Sequence, residues 1–137
     1  MTQENKDILL KDLCARLPYG VKVQSYSYED DIETVETLYN IDSDGYMSTL
    51  ECDTLKNITK PYLFPLSSMT EEHKNSFSFS YSFLEALIDE GVYFDEDECI
   101  TLNDMIYVIQ WCYKNHFDIH GLIPMGLAND ATGLNIY

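Results

Sequence analysis

A chain of 137 residues is long enough for one domain with a buried core, and its 45% hydrophobic fraction is that of a globular protein. Its 24 acidic residues against 8 basic ones, a formal charge of −16, argue against contact with nucleic-acid phosphates or anionic membranes, because both need a basic face. No stretch nears the roughly 20 apolar residues of a membrane span. The opening MTQENKDILLKDL is polar and then amphipathic, unlike a secretory signal, so a cytoplasmic location is expected. In that reducing setting Cys14, Cys52, Cys99 and Cys112 read as small buried hydrophobes, not as a disulfide frame.

Residues 3–17 predict an amphipathic helix. Ile8, Leu9, Leu13 and Leu17 recur near helical spacing, and Leu10 and Cys14 widen the stripe. Thr2 suits the N-cap, Glu4 suits the positive end of the helix dipole, and Pro18 with Gly20 ends the helix. Residues 21–27, VKVQSYS, alternate like a strand, and Glu29, Asp30 and Asp31 form a turn.

Residues 33–42 and 46–54 flank Asp44-Gly45, a dipeptide favoured in two-residue hairpin turns. If Ser43 opposes Tyr46, then Ile41, Tyr39, Thr37 and Val35 share a mostly apolar face with Ser48, Leu50 and Cys52. Glu36, Met47 and Glu51 then point away. Residues 61–64, PYLF, add a short strand that Pro61 and Pro65 confine to an edge.

Ser68, Met69, Thr70 and Glu71 spell a capping box, which predicts a helix from about 69 to 90 that Gly91 stops. Within it, residues 76–83 alternate serine with aromatics, so a strand stays open as the alternative there. Residues 93–99 form an acidic loop. Thr101 and Asp104 cap a helix at about 102–116, whose Met105, Ile106, Ile109, Trp111, Cys112 and Tyr113 make it apolar over much of its circumference and therefore central. Lys114 lies near its C-terminus, Gly121 and Pro124 punctuate the following loop, and the tail ATGLNIY is weakly specified.

Two motifs offer metal chemistry. Residues 40–51 match the spacing of a calcium-binding EF-hand loop, with Asn40, Asp42, Asp44, Ser48 and Glu51 as oxygen ligands and Gly45 at the sharp bend. Against it, position one lacks a carboxylate, the outgoing segment CDTLKNITKP is a poor helix, and no second hand is present. Cys112, His116 and His120 stand at i, i+4 and i+8, with Asp118 nearby and Cys99 as a candidate fourth ligand. The first two would share one helix face, a zinc geometry; the plain alternative is a buried Cys112 with hydrogen-bonding histidines. Cys112 and His116 are not a nucleophilic pair, since that cysteine falls inside an apolar stripe. Eleven tyrosines and six phenylalanines exceed what a core needs, which leaves either strand packing or an aromatic, acidic contact surface. Tyr93, Asp95, Glu96, Asp97 and Glu98 are the candidates for such a surface.

Residues 13–21, LCARLPYGV, residues 59–73, TKPYLFPLSSMTEEH, and residues 115–129, NHFDIHGLIPMGLAN, resemble segments of small proteins encoded by gut Bacteroidales and their phages or prophages. They cover a little over a quarter of the chain. The resemblance implies a phage or mobile-element accessory protein, located in the host cytosol, with a β-rich segment between the first helix and Lys60. It implies no known activity and carries no catalytic residues.

The expected fold is α+β in a single domain, 1–137: helix 3–17, a small antiparallel meander at 21–64, two helices packed on it within 69–129, and a short tail at 130–137. The function expected is binding, with the balance against an enzyme and no cofactor. One form is an acidic inhibitor of a host protein with a basic surface; the oligomeric state is not specified. A second is a small-ligand or nucleotide-signal binder, which for an anionic ligand needs a local basic pocket from Lys22, Lys56, Lys60 or Lys114. A third is a calcium- or zinc-binding protein.

Overall fold

A computed structural model of the chain describes residues 1–27, 32–49, 60–75 and 102–137. Helix α1 spans Gln3–Arg16, capped as expected: the Thr2 hydroxyl accepts from the Asn5 amide at 3.2 Å. It buries Leu9, Asp12, Leu13 and Arg16, while Cys14 is exposed and Leu10 is half-buried. The expected stripe is therefore rotated, and Cys14 is no core residue. The rotation brings a charged pair inside. Arg16 and Asp12, one helical turn apart and both fully buried, form a two-pronged ion pair at 2.6 and 3.0 Å. Pro18 starts a short turn of 3-10 helix at Leu17–Tyr19, which Gly20 closes at φ 68°.

Strand β1, Lys22–Ser27, pairs antiparallel with β2, Ile32–Ile41, from Lys22 opposite Thr37 to Ser27 opposite Ile32. Strand β3, Met47–Thr49, adds to the other side of β2, so the sheet is a meander in the order β1-β2-β3. The hairpin forms where Asp44-Gly45 predicts it, but in another register. The Asp42 amide donates to the Tyr46 carbonyl at 2.9 Å, the Gly45 amide donates to the Asp42 carbonyl at 3.0 Å, and Gly45 has φ 82°. Ser43, Asp44 and Gly45 thus make a three-residue loop, and Ile41, expected opposite Ser48, faces Met47 instead. The Asp42 carboxylate sets this longer loop by accepting from the Asp44 and Tyr46 amides, each at 2.9 Å.

A slip of one residue turns every side chain over. Met47 is buried, whereas Tyr39 is 67% exposed and Val35 is exposed. A register shift between Leu38 and Asn40 leaves Tyr39 as an extra residue on β2, which lets Leu38 and Ile41 both meet the core. Within the sheet, Glu36 accepts from Thr34 and Thr49.

Strand β4, Tyr62–Leu63, is short as expected, yet it pairs in parallel with β5, Asn129–Asp130. Its lead-in bridges antiparallel to β1 through Pro61 and Val23, where the Gln24 amide donates to the Lys60 carbonyl at 2.9 Å. Pro61 loses nothing there, because its neighbour supplies the acceptor. Segment 60–64 therefore connects the meander to the C-terminal segment instead of ending the sheet.

After a 3-10 turn at Leu66–Ser68, helix α2 begins at Glu71 and is described to Asn75. The capping box lies two residues later than its sequence signature. Thr70 and His73 exchange reciprocal bonds, the Thr70 amide to His73 Nδ1 at 3.2 Å and the His73 amide to the Thr70 hydroxyl at 3.3 Å. Ser68 instead donates to the Pro65 carbonyl. The turn at 29–31, the rest of the 69–90 helix with its 76–83 run, the acidic loop 93–99, Thr101, Glu51, Cys52 and Cys99 lie outside the described residues.

Helix α3, Leu102–Lys114, buries Val108 and Cys112 and half-buries Met105 and Trp111, but exposes Ile106, Tyr107 and Ile109. It is buried along one stripe only, and the apolar Ile106, Tyr107 and Ile109 lie outside that stripe, so the helix is less central than expected. Among the described residues no helix is long and apolar enough to cross a membrane.

The core has two parts. One gathers Leu9, Leu13, Val23, Leu38, Met47 and Leu63 with Leu122 and Leu127; the other gathers Met69, Val108, Cys112 and Phe117. Arg16 joins them: it donates to the Phe117 carbonyl at 2.7 Å and lies 5.0 Å over the Tyr113 ring. Asp118 accepts from the Leu122 and Ile123 amides, which folds the loop back onto the first cluster. The tail is better tied than its sequence suggests. Ala131 donates to the Leu63 carbonyl, and the Tyr137 hydroxyl reaches β1 and β4.

Candidate functional site

A cleft of about 550 Å³ opens where α3 ends, lined by Phe64, Ser68, His73, Lys114, Asn115, His116, Phe117, Thr132, Gly133 and Tyr137. Four segments build it, and the end of α3 sets its geometry. The Phe117 amide reaches back to the Cys112 carbonyl at 2.8 Å and the His116 amide to Tyr113 at 3.2 Å. This is a Schellman ending, with His116 in the left-handed position at φ 64° and Phe117 folded against the last turn. Phe117 stacks on Trp111 with centroids 5.5 Å apart. Backbone bonds from Phe64 to His116 and from Asp118 to Phe64, both 2.8 Å, then clamp this turn to the end of β4.

Glycine or asparagine usually occupies that left-handed position, because a Cβ there meets backbone. Here it is histidine, and its ring is turned inward. His116 is 8% exposed, stacks on Tyr137 with centroids 3.7 Å apart and planes at 13°, and leaves Nδ1 buried without a protein partner. Burial, then the charges of Arg16 and Lys22, lowers its pKa to about 4, so it is neutral at pH 7.

Tyr137 is the other half of the stack. Its hydroxyl donates to the Tyr62 carbonyl at 2.7 Å and accepts from the Lys22 amide at 2.9 Å, and its ring lies 5.8 Å from Phe64. Burial pushes its phenol up to about 12. His73 meets Trp111 and Phe117 edge-on at 5.6 and 5.7 Å. The exposed Lys114 stands at the rim, and among the described residues no Asp or Glu side chain lines the cleft. In a chain of charge −16, that lining is locally basic and aromatic. It offers aromatic faces and an ammonium, beside a buried imidazole nitrogen that has no protein partner, which is equipment for recognition.

The zinc candidates do not converge. The helix stops at Lys114, so Cys112 and His116 do not share a helical face as their spacing suggests. Cys112 is fully buried in the second core cluster, and burial pushes its thiol up to about 12. His120 sits on the exposed side, with Nε2 2.9 Å from the Tyr113 hydroxyl and 3.9 Å from Asp12. Of the calcium candidates, Asn40, Asp42, Asp44 and Ser48 lie on a β-hairpin, flanked by strands where an EF-hand has helices, and Asp42 is engaged by two amides. Among the described residues no three His, Cys, Asp or Glu side chains are grouped to hold a metal ion. Glu51 and the acidic contact residues Tyr93, Asp95, Glu96, Asp97 and Glu98 lie outside the described residues.

Sequence reasoning missed Phe64, His73 and Tyr137 as site residues. Thr70-x-x-His73 carries a readable capping signal. Nothing local marks Tyr137, whose partners are distant in the chain. Comparison with protein-family models, with curated proteins and with solved structures returns no match.

Proposed function

We propose that this is a non-enzymatic binding protein whose cleft at the end of α3 takes a small ligand. The observation that carries the reading is His116: a buried imidazole with an unpartnered Nδ1, on a left-handed backbone, lining a cleft. The backbone conformation costs about 1–2 kcal/mol, and an unmet buried nitrogen costs roughly 1–3 kcal/mol. Costs of this kind collect where a ligand offsets them. The test is a melting-temperature screen of small molecules, nucleotides, calcium and zinc, repeated on His116→Asn, which suits the same backbone. A ligand that raises the melting temperature of the wild type but not of the variant supports the reading. A screen with no stabilising compound, or one whose effect survives the substitution, removes it.

A second reading keeps the acidic inhibitor. At the hairpin tip Tyr39 and Tyr46 are exposed beside the exposed Asp42 and Asp44, a pairing of aromatics and carboxylates suited to a basic protein surface. On this reading the protein is a phage or mobile-element accessory that captures a host protein. Pull-down at low and moderate salt tests it: capture must weaken as salt rises and be lost in the Tyr39→Ala, Tyr46→Ala double variant. Capture indifferent to both rules it out.

A further inference from the structure

The cleft contains a slot that the chain fills with its own side chain. The Tyr137 ring lies against His116 at 3.7 Å and beside Phe64 at 5.8 Å. At its hydroxyl end the Lys22 amide donates and the Tyr62 carbonyl accepts, at 2.9 and 2.7 Å. One flat stacking face, one lateral ring, one donor and one acceptor make a full recognition set for a para-substituted phenol. Benzene rings without the hydroxyl make neither backbone bond, and a phenyl ether cannot donate to Tyr62.

The occupant is held by its side chain and is itself 43% exposed. Among the described residues, 135–137 make no backbone hydrogen bond, so side chains anchor this stretch, those of Tyr137 and the half-buried Ile136. Leu134 and Asn135 before it are exposed, and Asn135 is itself left-handed at φ 52°. Withdrawing Tyr137 therefore breaks one ring contact set and two hydrogen bonds without unpairing a strand. The vacated slot is continuous with the cleft, since Tyr137, His116 and Phe64 line both.

We infer that this slot is a phenol-binding subsite occupied in cis by Tyr137, and that the ligand of the cleft carries a para-hydroxyphenyl group that displaces it. The inference rests on the ligand-binding reading above and names the ligand's chemistry. The aromatic ring takes Tyr137's place on His116, and the para substituent leaves the ring on the side opposite Lys22 and Tyr62, where the Tyr137 Cβ stands.

The experiment uses the full chain and p-cresol, with toluene and 4-methylanisole as controls, titrated into the wild type and Tyr137→Ala by calorimetry. Because the variant gives up the contacts of Tyr137, the wild type is also followed by NMR at the Lys22 amide and the His116 ring. Expected are p-cresol binding at least about tenfold tighter to the variant than to the wild type, since the wild type must first vacate the slot, weaker binding of both controls, and movement of the Lys22 and His116 signals in the wild type at higher p-cresol. Equal affinity for the two proteins, or controls that bind as well as p-cresol, overturns the inference. So does a wild type whose Lys22 amide stays still while the variant binds, because Tyr137 is then a fixed part of the fold. If p-cresol binds neither protein, the phenol inference fails alone; the ligand-binding reading still stands or falls on the His116-dependent screen.

Discussion

At the scale of single residues, His116 concentrates the unusual features. Its folded pKa of about 4 lies below the usual 6.5, so the neutral ring is what the fold accommodates. The stability this contributes is complete above pH 6.5 and is lost as pH falls through 4, to the extent of about 3 kcal/mol at most. Urea unfolding at pH 7 and pH 4 should show the wild type losing more stability than His116→Asn. The carboxylates titrate in both proteins and cancel in the difference; parallel losses would contradict the buried neutral ring. The cysteines give a second contrast. Cys14 is exposed, while Cys112 is buried with its thiol held protonated by that burial. A thiol reagent with peptide mapping should label Cys14 in the native protein and Cys112 only on unfolding. Labelling of both at one rate would mean that α3 is not packed as described.

The hairpin shows how an element can be placed correctly and oriented wrongly by local pattern. Asp44-Gly45 marks the bend in either register. The choice of face falls to the Asp42 carboxylate, which holds two amides and adds a residue to the loop. Asp42→Ala should therefore cost about 0.5–1.5 kcal/mol, the net range for a hydrogen bond, because Asp42 is exposed and water can replace it. Gly45→Ala should cost about 1–2 kcal/mol through its left-handed backbone, since a Cβ there meets Leu10 only at an ordinary 3.6 Å. Denaturant melts test both. The Asp42→Ala loss should be equal in calcium and in EDTA; a loss that appears only with calcium would restore the metal-loop reading of 40–51.

Across the whole molecule, Arg16 is the connection between the two core clusters. It neutralises Asp12 on its own helix and donates to the Phe117 carbonyl at the turn that shapes the cleft. Arg16→Met leaves Asp12 buried without its partner, and should cost about 3–5 kcal/mol, a large share of the roughly 5–15 kcal/mol that holds a domain together. Removing both charges, in Asp12→Leu with Arg16→Met, should recover much of that loss, because well-packed apolar groups often replace a buried pair without penalty. Chemical denaturation of the single and double variants measures the difference. A double variant no more stable than the single one would mean that the bond to Phe117, not the ion pair, is what the fold needs.

Some of this was legible in the residues alone. The helix at Gln3–Arg16 with its Thr2 cap, the strand at Lys22–Ser27, the bend at Gly45 and the helix that carries Trp111 follow from spacing and from residues that cap or turn the chain nearby. Each is a local property, set by the period of the backbone and by hydrogen bonds a few residues long. Tertiary structure decided which hairpin face is buried, that Arg16 enters the core, that β4 runs parallel to β5, and that Tyr137 lies on His116. Those outcomes depend on groups far apart in the chain, whose complementarity of shape, charge and hydrogen bonding exists only once the chain has brought them together.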